Sequence, residues 1–174
     1  MAAVDYAYPW DGLLARFKFH SEPGWARLFA GLILQVPETL PLLQTCGLMV
    51  PVPLTPRRLG ERGYNQSWEL VKTLGHLVRR HGAAPNCAAR ASVLVRLGDA
   101  PDQHSLGRDA RLRNLRGLFV VHPAHAPALL GQHVLLVDDV TTTGATLQSA
   151  AQALLHAGAG RVSAVVFAHT PASR

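Results

Sequence analysis

A chain of 174 residues, 48% hydrophobic and 16% charged, is long enough for one domain with a real core and cramped for two. That balance excludes a disordered polymer, and the longest apolar runs fall far short of a membrane span. Asp5 stands where a secretory leader would be basic, so the cytoplasm is the expected compartment and no membrane partner is expected. The net charge of +6 is carried mostly by arginine, which grips phosphate well; charge alone does not choose between nucleic acid, a small polyphosphate and no ligand.

In chain order, residues 25–36 carry apolar side chains at Trp25, Leu28, Phe29, Leu32, Ile33 and Val36, which predicts an amphipathic helix between Pro23-Gly24 and Pro37. The run 47–54 reads as a buried strand that breaks at its prolines. Cys46 and Cys87 fit no zinc spacing, and in a reducing compartment they are expected as buried or free thiols rather than a disulfide. Residues 65–80 repeat the helical pattern through Leu70, Val71, Leu74, Leu77 and Val78, with Asn65 or Gln66 as a capping residue. Strands are expected at 91–97 and 117–121, on either side of a polar, arginine-rich stretch over 98–116. A strand at 133–137, a helix through Leu147, Ala150, Ala151, Leu154 and Leu155, and a strand at 162–168 complete the pattern. The alternation predicts an α/β fold, a mostly parallel central sheet flanked by helices, whose ligands bind beyond the strands' carboxyl ends.

The string VLLVDDVTTTGAT, Val134–Thr146, sits at that edge. Successive side chains on a straight strand face opposite ways, so Asp138 and Asp139 can share a ligand only if the chain turns there. Carboxylates at a strand end accept hydrogen bonds from sugar hydroxyls or share a hydrated Mg²⁺ with a phosphorylated ligand. The hydroxyls and glycine that follow lead into a helix whose free N–H groups attract phosphate. The plainer alternative is turn chemistry, with Thr142 or Thr143 as an N-cap. Neither GxxxxGK[ST] nor a GxGxxG after a strand is present, which disfavours a P-loop or dinucleotide site.

Val134–Thr146 closely resembles the PRPP-binding signature of type I phosphoribosyltransferases. Val50–Ser67, VPVPLTPRRLGERGYNQS, and Gln103–Phe119, QHSLGRDARLRNLRGLF, resemble the two hallmark segments of the ComF/GntX family, as does the lead-in YAYPWDGLLARFKF. The resemblance implies a type I phosphoribosyltransferase fold with a flexible lid loop, in a single domain over 1–174 with a hood-like helical segment at 1–45 and a core at 46–174. It implies PRPP binding by Asp138, Asp139, Thr141, Thr142, Thr143, Gly144, Ala145 and Thr146, and pyrophosphate binding by Arg57, Arg58 and Arg62. Catalytic roles fall to Asp138, Asp139 and Arg111, the last in the lid-like stretch 108–116 where Arg113 and Asn114 also match the family pattern. Mg²⁺ is the implied cofactor, carried by PRPP and touched by Asp138 or Asp139. The implied partners are PRPP, an unidentified small-molecule acceptor, DNA or DNA-uptake machinery, and a second copy of the chain.

Family members commonly begin with a cysteine-rich zinc ribbon, which this sequence lacks; it reads as a truncated gene model or a zinc-free member. No base-binding hood is identified, and Tyr6, Tyr8, Trp10, Phe17 and Phe19 are expected in the core rather than as stacking platforms. None of the nine histidines sits in a motif, so no general base stands out. Three functions compete. The first is a Mg²⁺-dependent phosphoribosyltransferase. The second is a non-catalytic PRPP or nucleotide binder serving DNA uptake or nucleotide metabolism. The third is a basic nucleic-acid partner with a relic cradle. The intact DD–TTTG string disfavours the third.

Overall fold

The computed structural model describes residues 1–80, 87–97 and 118–171. In chain order the elements are β1 (Ala2–Asp5), α1 (Trp10–Phe19), α2 (Trp25–Gln35), α3 (Thr39–Thr45), β2 (Leu48–Pro51), α4 (Pro56–Arg62), α5 (Gln66–Arg80), β3 (Ala88–Ala89), β4 (Leu94–Arg96), β5 (Phe119–Val121), a 3-10 turn (Pro123–Leu129), β6 (His133–Thr141), α6 (Ala145–His156) and β7 (Arg161–His169). The helical stripe of α5 becomes its buried face, through Leu70, Val71, Leu74 and Val78, whereas α2 buries Phe29 and Ile33 of its expected stripe together with Ala26 and Ala30 and leaves Leu28 exposed.

Five strands form one sheet in the order β1-β7-β6-β2-β3, and every pairing is parallel. Because the strands run one way, the ends of β6, β7 and β1 lie together; Thr170 N–H reaches Thr141 O, and Tyr6 N–H reaches His169 O. One core cluster joins α1, α2, α3 and α5 to Leu135, Val137, Val165 and Phe167. The other joins α6, β4 and β5 to Val134, Leu136, Leu48 and Val50 on the opposite face. The period-two alternation of β6 sorts its apolar side chains between the two.

Several expectations change. The expected strands at 91–97 and 117–121 shorten to β4 and β5, and they pair antiparallel in a separate two-stranded sheet rather than joining the parallel one. The strand expected at 133–137 continues to Thr141, so the two aspartates lie within it. The cysteines do not remain thiols: Cys46 and Cys87 form a disulfide with their Cα atoms 5.5 Å apart. Each precedes a strand, and β2 and β3 run parallel with Leu48 opposite Ala88, so the two enter the sheet side by side. Spacing along the chain hid that proximity. Phe17 is core and Trp10 packs edge-on against Phe167, but Tyr6, Tyr8 and Phe19 are exposed, Tyr8 at 90% and Phe19 at 68%. No helix among the described residues is long and apolar enough to cross a membrane.

Candidate functional site

The site is built where α1, α4, α5 and α6 approach the end of β6. Asn65 sets the start of α5: its Oδ1 accepts from the N–H groups of Ser67 and Trp68 at 2.9 and 3.2 Å, and its Nδ2 donates to Val52 O at 3.1 Å. This ties α5 to the end of β2 and brings Ser67 Oγ to Asp138 Oδ1 at 2.9 Å. The N–H of Asp139 donates to the same oxygen at 2.9 Å, so Oδ2 is the atom these bonds leave for a ligand. Burial and the adjacent Asp139 carboxylate push Asp138 up to about 7, against the opposing pull of Ser67, the Asp139 N–H and Lys18. The pair therefore resists carrying two full charges without a ligand's cation or donors beside it.

Asp139 is met from α1. Lys18 Nζ lies 3.1 Å from Asp139 Oδ1, with both side chains largely buried. The Tyr64 hydroxyl donates to the carbonyl of Phe17, pinning the last turn of α1 near the junction of α4 and α5. Both carboxylates thus find partners on helices of the same core cluster although they are consecutive on a strand.

After Thr141 the chain turns through Thr142, Thr143 and Gly144. Gly144 is the N-cap of α6, with φ +77°, so neither threonine caps by its own backbone position; the Thr143 hydroxyl accepts from Ala145 N–H at 3.4 Å. A residue with φ in that region is naturally glycine. Gly144 brings no side chain to the first turn of the helix, which is the arrangement that receives an anion. Thr142 and Thr143 are exposed, and Thr141, Gly144 and Thr146 are half-buried. A cavity of about 550 Å³ opens onto Thr141 from the β1 side, lined also by Asp5, Leu147 and His169.

The three arginines expected to hold pyrophosphate lie on a helix, not a loop. Thr55 caps α4, Pro56 opens it and Gly63 closes it with φ +78°. This splits the trio. Arg57 is exposed and held by Glu61 at 2.9 Å. Arg58 and Arg62 line a cavity of about 300 Å³ together with Lys18, Phe19, Ser21 and Glu61. Arg62 lies over the Phe19 ring at 5.0 Å and donates to Gln66 Oε1 at 3.0 Å. Asn65 is therefore the cap of α5, and Gln66 instead steadies an arginine. Arg111, Arg113 and Asn114 lie outside the described residues.

Sequence reasoning missed Lys18, Ser67 and Phe19. One signal was available for the first. Leu14 and Phe17 are the buried residues of α1, and Lys18 follows Leu14 by one turn, which puts a charge on the buried face.

The sequence pattern of the phosphoribosyl transferase domain matches residues 109–174, which include the aspartates and the hydroxyl turn. The DNA utilization protein YhgH of Salmonella typhimurium is 34% identical over 167 residues, covering 93% of this chain and 68% of that protein. Competence protein F of Haemophilus influenzae is 29% identical over 167 residues, covering 88% of this chain and 65% of its own length. The chain belongs to the ComF family. Its fold is the type I phosphoribosyltransferase fold, a mostly parallel sheet flanked by helices. Among solved structures, the hypoxanthine phosphoribosyl transferase of Trypanosoma cruzi is 13% identical with a TM-score of 0.38, over 86% of this chain and 65% of that one. In this ComF-family chain the match places Asp138, Asp139 and the residues 141–146 inside the shared domain.

Proposed function

We propose that this protein binds PRPP at the end of β6 and transfers its phosphoribosyl group to a nitrogenous acceptor. The observation that carries the reading is the continuity of the acid pair with the glycine-capped start of α6. Carboxylates and an anion-receptive helix end stand six residues apart on one stretch of chain, suited to the hydroxyls and 5′-phosphate of one sugar phosphate. In the reaction the acceptor nitrogen forms a bond to the anomeric carbon as the bond to the pyrophosphate oxygen breaks, its electron pair leaving with pyrophosphate. Asp138 and Asp139 hold the ribose and favour the positive charge that builds on it, while Arg58 and Arg62 face the leaving group.

The donor set also suits Mg²⁺, which is typically bound by one or two carboxylates plus ligand phosphates. Asp138 Oδ2 and Asp139 are the atoms that would touch it, and bound there it would neutralise the leaving pyrophosphate. Calorimetric titration of PRPP with and without Mg²⁺ tests the proposal. Saturable, Mg²⁺-dependent binding followed by pyrophosphate release with an acceptor supports it; no binding by the folded protein rejects it. The relatives' names, a DNA utilization protein and a competence protein, favour a second reading, a PRPP-binding accessory in DNA use. Binding without turnover on any nitrogenous acceptor would favour that one.

A further inference from the structure

We propose that Lys18 of α1 binds the pyrophosphate arm of the ligand, as a third cation beside Arg58 and Arg62. The inference rests on the PRPP reading and adds to it a residue from a different part of the chain. Lys18 lines the cavity of about 300 Å³ together with both arginines, and its ammonium lies 3.1 Å from Asp139. It therefore stands between the ribose-binding acids and the cationic cavity, where the bond from the anomeric carbon to pyrophosphate would cross. The cavity's acid, Glu61, is engaged by Arg57 at 2.9 Å, which leaves Arg58 and Arg62, joined by Lys18 once a ligand takes up Asp139, to set the sign of the field.

The chemistry of the side chain fits the position. Seventeen residues are basic, and only Lys18 and Lys72 among them are lysines. Lys72 is on α5, half exposed and paired with Glu69 at 2.9 Å. A guanidinium offers a rigid planar fork, whereas an ammonium directs three donors from one point and can serve a carboxylate and a phosphate oxygen together. Lys18 neutralises Asp139. When the ligand's hydroxyls or metal take up that carboxylate, the same ammonium turns one or more donors to the phosphate beside it. The exposed Phe19 ring beneath Arg62 and the Gln66 amide beside it keep the facing arginine in place.

The test compares PRPP with ribose 5-phosphate, which lacks the pyrophosphate arm, by calorimetry on the full chain with Mg²⁺. Lys18→Met should weaken PRPP about tenfold and ribose 5-phosphate less than about twofold, with Lys18→Arg recovering part of the loss. Equal weakening of both ligands would reduce Lys18 to a support for Asp139 and overturn the proposal, as would no change in either. If the wild type bound the two ligands alike, the cavity would hold no pyrophosphate and this inference alone would fail. If it bound neither, the PRPP reading would fail with it. Should Lys18→Met not fold, the Nζ resonances of the wild-type lysines decide, with Lys72 as the internal reference. The Lys18 signal should move further with PRPP than with ribose 5-phosphate, and identical shifts would overturn the assignment.

Discussion

The hydroxyl turn at 141–146 and the cationic cavity beneath α4 would both receive phosphate, and they are made of different things. The turn is backbone. Its side chains carry no charge, and its capacity for an anion comes from one left-handed glycine and the start of a 12-residue helix. The cavity is side chains: an ammonium and two guanidiniums delivered by α1 and α4, two helices far apart in the chain. A site of the first kind depends on one dihedral angle and has no side-chain charge to remove. A site of the second kind tolerates backbone change but weakens with each charge removed and with ionic strength. Between them stands the acid pair, joined to the turn by the strand and to the cavity by Lys18.

The largest expected effect follows from removing that junction. Asp138→Asn with Asp139→Asn should abolish PRPP binding, a loss of about a hundredfold or more, while circular dichroism shows the fold intact. The amide oxygen of Asn at 138 can still accept from Ser67 and from the following N–H, so the local bonds survive the change. Normal PRPP binding by the double variant would refute the assignment of these carboxylates.

Next comes the turn. Gly144→Val meets no atom within 4 Å of the added Cβ, so its penalty comes from the φ of +77°. A β-branched residue held in the left-handed region costs on the order of 1–2 kcal/mol, and the turn should relax away from it. Calorimetry should show PRPP and ribose 5-phosphate weakened alike, by about tenfold, because both carry the 5′-phosphate. Here the comparison is sharpest: a change in the turn strikes both ligands, and a change at Lys18 strikes one.

This contrast also explains what was legible in the sequence. The turn, the aspartates and the helix that follows them are contiguous, so their order along the chain is already their order in space. The helix at 66–80 was legible because its apolar period matches the face it buries, and that at 25–35 was legible as a helix, although its buried face is Ala26, Phe29, Ala30 and Ile33 and Leu28 of the expected stripe is exposed. The cavity was not, because Lys18 meets Arg58 and Arg62 only once α1 docks beside α4. The trio of arginines looked equivalent in sequence, and it took helix geometry to turn Arg57 towards Glu61 and away from the other two. The Cys46–Cys87 pair was hidden for the same reason, since parallel strand register is a tertiary fact.

A smaller effect concerns stability rather than binding. Asp138 is pushed up to about 7 from an ordinary value of 3.8, so the folded chain holds a proton there that the unfolded chain gives up. This group's contribution to stability is therefore full below about pH 4 and is lost as pH rises through about 7. Asp138→Asn removes that dependence. Thermal melts should show no gain for the variant near about pH 4, with a gain on the order of 2–4 kcal/mol developing by about pH 8. A variant less stable than wild type at the higher pH would mean that the carboxylate is held by more than Ser67, Lys18 and its own neighbour.

The smallest effect is the most discriminating within α4. Arg57 is held by Glu61 and does not line the cavity, whereas Arg62 does and is steadied by Phe19 and Gln66. An exposed i,i+4 ion pair contributes about 0.3–0.5 kcal/mol, so Arg57→Gln should barely change stability and should alter PRPP affinity less than about twofold. Its one indirect consequence is to release Glu61, which faces the cavity and would then oppose the phosphate slightly. Arg62→Gln should instead weaken PRPP about fivefold to tenfold and spare ribose 5-phosphate. If calorimetry ranked the two the other way, phosphate would be meeting the outer face of α4. The pyrophosphate arm would then lie outside the cavity that Lys18 lines.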